Sequence, residues 1–117
     1  MNKLTRQDVT AYHNATWSRT LKLKNTDGED ASLSSGDKII FGIRKNWYDA
    51  YLIKKIISAE NELNGGYTVL LTPEDMSIEP GYYYYDISVQ TENGDFIKIV
   101  PHSSFVVLPS DTEKEVD

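Results

Sequence analysis

Polar and apolar residues alternate with a period of two along most of this chain, and that period predicts β-strands. In TWSRTLKLK the alternation sets Trp17, Arg19, Leu21 and Leu23 on one face, with Arg19 the polar exception, expected near an edge. NTDGED follows and supplies turn chemistry through Asn25, Asp27 and Gly28. KIIFGIRK then places Ile39, Phe41 and Ile43 on one face and Ile40, Gly42 and Arg44 on the other.

The stretch from Trp47 to Gly66 reads two ways. Ala50, Ile53, Ile56 and Ile57 could form a helical stripe, or AYLIKKII could be a strand with Leu52 and Ile56 facing away from Tyr51, Ile53 and Ile57. β-Branched and aromatic content favours the strand, with Asn64-Gly65-Gly66 closing the loop after it. GYTVLLT is the next strand, and a helical turn beginning at Pro73 is expected in the connection that follows.

In YYYYDISVQT, Tyr83, Tyr85, Ile87 and Val89 share one face, and Tyr82, Tyr84, Asp86, Ser88 and Gln90 the other. Asn93-Gly94 signals a tight hairpin, FIKIV is its return strand, broken at Pro101, and SFVVL closes the series. Seven to eight short strands at these intervals predict an all-β, immunoglobulin-like antiparallel β-sandwich. One domain is expected over residues 1–109, with a polar acidic tail over residues 110–117.

Pro80-Gly81 makes a corner, and Tyr83 lies at the spacing of the tyrosine that ties such a corner in immunoglobulin-like sandwiches. Tyr83 and Tyr85 are then core residues. Tyr82 and Tyr84 face outward and are candidate partner contacts, together with Asn93 at the hairpin tip.

Composition narrows the function without naming it. The 117 residues contain no cysteine, which leaves neither disulfides nor thiolate metal sites and fits a reducing cytoplasm or, equally, a disulfide-free extracellular particle. No run approaches the roughly 20 apolar residues that span a bilayer, and the N-terminus has no apolar signal-like core. A net charge of −6 disfavours nucleic acid as a partner.

Candidate chemistry is sparse. Asp27, Glu29 and Asp30 around Gly28 miss the spacing of a calcium loop. His13 and His102 have no ligating neighbours in sequence, and Ser34-Ser35 and Ser103-Ser104 lack a nucleophile motif. Glu74-Asp75 reads as acid placed at a helical N-terminus. No catalytic set, cofactor or metal site is expected. Trp47 and Tyr48 occupy a loop, where plugging the end of the sandwich is favoured over display as a contact surface.

From residue 16 to residue 107 the order of these strands resembles the immunoglobulin-like domains of bacteriophage tail and baseplate proteins, including the N-terminal domain of baseplate upper proteins. The best-matching stretch is residues 71–93, with Pro80, Gly81, Tyr83, Tyr85, Asp86 and Ile87 as its centre. Met76 or Ser77 stands where that pattern carries a threonine. No second module follows, and the chain runs into DTEKEVD where baseplate upper proteins continue.

The resemblance implies a phage or prophage structural protein, part of a virion assembled in the bacterial cytoplasm. It would be homo-oligomeric and docked to other phage structural proteins. The alternative is a host-surface or carbohydrate-binding module with Trp47, Tyr48 and Tyr51 as its stacking platform, and a third reading is a small regulator of a host protein.

Overall fold

A computed structural model of the protein describes residues 6–110. The acidic tail expected over residues 110–117 lies outside the described residues except for Ser110. Nine strands form in chain order. They are β1 (Val9–Tyr12), β2 (Trp17–Leu21), β3 (Leu23–Lys24), β4 (Asp30–Ala31), β5 (Lys38–Arg44), β6 (Ile53–Ser58), β7 (Tyr67–Leu71), β8 (Gly81–Gln90) and β9 (Phe96–Leu108).

The large sheet has the order β1-β9-β8-β5-β6, β2 pairs with β7, and β3 with β4. Every pair is antiparallel except β1 with β9. The chain leaves the β2 layer for β5 and β6, returns to β7, and crosses back to β8 and β9. In an immunoglobulin sandwich this puts β2 and β7 at the B and E positions and β5, β8 and β9 at C, F and G, with β6 as C′.

The two-fold period decides which residues face inward. Ile39, Phe41, Ile43, Tyr85, Ile87 and Val89 from the large sheet meet Leu21, Tyr67, Val69 and Leu71 from the smaller layer in one buried cluster. Trp17 bridges the layers, its ring 5.9 Å from Phe41 and 5.4 Å from Phe105, while Tyr85 touches both phenylalanines. In a cysteine-free chain this aromatic packing links the sheets where many sandwiches carry a disulfide.

Local signals act as read at two points. Tyr83 Oη donates to the Glu79 carbonyl at 2.5 Å and ties the corner. Burial, and then the nearby Glu79 charge, raise the Tyr83 phenol above its usual range. Asn64 and Gly65 both adopt positive φ (53° and 78°), and Leu63 and Gly66 exchange backbone hydrogen bonds across them, as a primed turn requires.

Other expectations need correction. The strands number nine: β1, in a stretch with no clear alternation, gains its place by parallel pairing to β9, β4 is added, TWSRTLKLK divides into β2 and β3, and FIKIV and SFVVL join as β9. Pro101 does not break β9. It sits where β9 spends an extra residue opposite β8, between the Tyr85–Ser103 and Ile87–Val100 pairs, so its missing N–H falls in a bulge. The second hairpin keeps its place, but only Gly94 has positive φ (95°), and Thr91 accepts the Gly94 N–H in a longer loop.

Ser88, expected on the outer face, is buried between its register neighbours Ile40 and Lys98. The turn expected from Pro73 is a short 3-10 segment at Asp75–Ser77. Thr72 N–H donates to Asp75 Oδ2 at 2.9 Å, and Asp75 N–H to Thr72 Oγ1 at 3.2 Å. Arg19 does lie on an edge strand, since β2 pairs only with β7, and it is half-buried there. It donates to the Tyr85 hydroxyl and to the Gln7 side chain, and Tyr85 in turn donates to the Gln7 carbonyl.

Candidate functional site

The outer face of the large sheet gathers most of the residues singled out in the sequence, and Gly42 is where the arrangement begins. A β-carbon built there would lie 2.1 Å from the Tyr51 ring, so the absence of a side chain lets Tyr51 lie flat across the strand. The Arg44 guanidinium covers that ring at 4.1 Å from its centre. The Tyr51 hydroxyl stands 3.5 Å from Asp86 Oδ1, and Lys98 pairs with the same carboxylate. Tyr51 is thereby fixed into the sheet surface and is not the free platform expected of it.

The β9 bulge builds the opposite side. By adding one residue it turns His102 outward against Tyr84, the two rings stacked at 4.4 Å and 22°. Tyr84, expected to be exposed, is half-buried by that contact. Gly42, Arg44, Trp47, Tyr84, Tyr85, Asp86 and His102 enclose a cleft of about 40 Å³. Sequence reasoning missed His102, Arg44 and Asp86. The one available signal was a proline inside a strand pattern, which marks a bulge.

Trp47 and Tyr48 rise at one end of this face from the turn that joins β5 to β6. The Asn46 side chain donates to Asp49 Oδ2 and the Asp49 N–H to the Asn46 carbonyl, at 3.1 and 3.0 Å. Arg44 donates to the Trp47 carbonyl at 3.0 Å, and Lys45 to the Tyr82 carbonyl at 3.1 Å. These bonds anchor the turn at both sides.

The two rings meet edge to face, 5.6 Å apart, with 67% and 70% of their surface exposed. They do not plug the sandwich, contrary to the reading favoured above, since both rings stay in solvent. Tyr82 is 74% exposed on the same face. Asn93 is exposed at the opposite tip, at the far ends of β8 and β9, and the fold does not bring it to the aromatic group.

Among the described residues no group of three His, Cys, Asp or Glu side chains could hold a metal ion. His13 is engaged through Nδ1 with the Ile78 carbonyl at 2.8 Å. Glu74 and Asp75 do not act as a pair, since Asp75 binds Lys55 at 2.8 Å. No helix among the described residues is long and apolar enough to cross a membrane. The chain matches no family model, and a search of curated proteins returned no relative.

Proposed function

We propose that this domain is a docking module that works by binding rather than catalysis, in the setting that the resemblance at residues 80–87 implies. That setting is a bacteriophage tail or baseplate, with the chain repeated as a subunit among other structural proteins. One observation carries the docking reading: Trp47, Tyr48 and Tyr82 stand largely exposed at one end of a rigid sheet face. Aromatic rings contribute large contact area at small entropic cost, which is why they gather at interfaces.

The face is a better contact than the β6 edge of the same sheet. β6 closes that edge and carries Lys54 and Lys55, and lysines on an edge strand discourage pairing with another chain. The net charge of −6 favours protein over nucleic acid as the partner.

Mass spectrometry of purified particles induced from the source strain tests this reading. The chain should be present at a fixed copy number set by the particle's symmetry. Tyr48→Ala combined with Tyr82→Ala should sharply reduce its incorporation while the isolated domain stays folded. Absence from intact particles would refute the phage setting, and full incorporation of the double variant would refute the assigned surface.

A further inference from the structure

The cleft beside Trp47 has a chemistry that the docking surface does not use. Its floor is the backbone of Gly42, beside the Tyr51 ring that lies across it, with the neighbouring β8 strand at Tyr85. One wall is the Arg44 guanidinium lying on Tyr51, and the other is the Tyr84–His102 stack. Asp86 closes one end, and the exposed Trp47 ring stands at the rim.

The polar groups are complementary in kind. Arg44 brings only donors, and no carboxylate pairs with it among the described residues. Asp86 brings only acceptors and is held in place by Lys98 and the Tyr51 hydroxyl. A ligand group that both donates and accepts can satisfy the two sides together. A hydroxyl does this, and neighbouring hydroxyls on a ring do it in one plane. The C–H face of the same ring can rest on an aromatic side chain.

Size sets how much of such a ring enters. A space of about 40 Å³ holds more than one water but not a whole hexose. It accepts the hydroxyl-bearing edge, leaving the remainder against Trp47. A ligand carboxylate would meet Asp86, so charge selects against acidic sugars.

From these residues we infer that the cleft is a binding site for one neutral sugar ring, of the kind presented at the end of a surface glycan. This adds a second activity to the docking reading and does not depend on it. Docking is decided in the particle, and sugar binding in the isolated domain.

Titration of the folded chain with a panel of methyl glycosides, of hexoses, N-acetylhexosamines and 6-deoxyhexoses, tests the site. Backbone amide and indole N–H shifts in NMR are the readout. At least one neutral glycoside should bind saturably and shift Trp47, Asp86 and His102 together. Trp47→Ala should weaken that binding by about thirtyfold, the loss expected on truncating an aromatic anchor.

Asp86→Asn, which keeps the shape and removes the charge, should weaken it by about tenfold. Leu63→Ala, an exposed site on the β6–β7 turn at the far end of β6, should bind as the unmodified protein does. No saturable binding across the panel would overturn the inference. So would binding of glucuronic acid alone, or binding undiminished in Trp47→Ala.

Discussion

Replacing Gly42 by alanine tests whether the outer face is a packed arrangement or a set of independent surface residues. The added carbon would lie 2.1, 2.3 and 2.6 Å from three atoms of the Tyr51 ring. Ordinary carbon contacts begin near about 3.5 Å, so the ring must shift by more than about 1 Å. In shifting, it leaves the Arg44 guanidinium, a contact worth about 0.5–1 kcal/mol at an exposed site, and loses reach to Asp86. Overpacking costs typically about 1–3 kcal/mol, and here the lower part applies because Tyr51 is only half-buried and has room to move. Against this, alanine in a strand gains about 0.5–1 kcal/mol over glycine through the unfolded chain.

The balance is a loss of about 1–2 kcal/mol, or about 5–10 °C in melting temperature for a domain of this size. The discriminating measurement is a double-mutant cycle, followed by urea unfolding with tryptophan fluorescence as the probe. In the Tyr51→Ala background the obstacle is gone, so Gly42→Ala should become neutral or stabilising. A coupling of about 2 kcal/mol with an unchanged denaturant slope is expected. Equal costs in the two backgrounds would show that Tyr51 does not need the glycine and would undo the account of the outer face.

Three further outcomes follow from the same structure. Tyr83→Phe removes the bond to the Glu79 carbonyl while keeping the ring, and should lower stability by about 1–2 kcal/mol in urea unfolding. Burial raises the phenols of Tyr83 and Tyr85, with Arg19 partly opposing the shift at Tyr85. A raised phenol keeps its full stability below its unfolded value of 10.0 and loses it as pH climbs. Unfolding midpoints should therefore fall above that pH, and the fall should shrink in Tyr85→Phe; an identical alkaline profile in that variant would contradict this. Partial burial opposes the charge on Asp75, but Lys55 and the Thr72 N–H outweigh it and depress the carboxyl below its usual 3.8. That stability is present above the unfolded value and lost as pH falls through the folded one, so Asp75→Asn should flatten the acid limb of the stability curve.

Most of the architecture was legible because one face of each long strand is buried, and burial is what the two-residue period records. Ile39, Phe41 and Ile43 declare themselves in this way, as do Tyr83, Tyr85, Ile87 and Val89. β1 was not legible: Val9–Tyr12 buries only Ala11 fully and is held by backbone pairing and by Gln7, neither of which leaves a pattern. The candidate site was partly legible. The exposure of Tyr82 follows from strand parity, whereas loop position favoured Trp47 and Tyr48 as a plug and so misjudged their exposure. The role of His102 depends on a register shift in β9, and the role of Gly42 on a ring arriving from the start of the next strand. Both are tertiary relations, and a local pattern does not encode them.

The run of four tyrosines shows how one strand serves core and surface together. Parity sends Tyr83 and Tyr85 inward, where their hydroxyls find the Glu79 and Gln7 carbonyls, and among the described residues no buried side-chain polar atom is left unpaired. The same parity sends Tyr82 and Tyr84 outward, but to different ends. Tyr84 is held by His102 and becomes a wall of the cleft, whereas Tyr82 has its backbone carbonyl engaged by Lys45 and its ring left in solvent. A slip of one residue between β8 and β5 would exchange the two sets, burying Tyr82 and exposing Tyr85. The corner bond of Tyr83 and the inter-sheet contacts of Tyr85 fix that register, so the surface aromatics are positioned by their buried neighbours. Substitutions at Tyr83, which does not line the cleft, should therefore disturb binding at the outer face without touching it, while substitutions at Tyr82 should leave the fold intact.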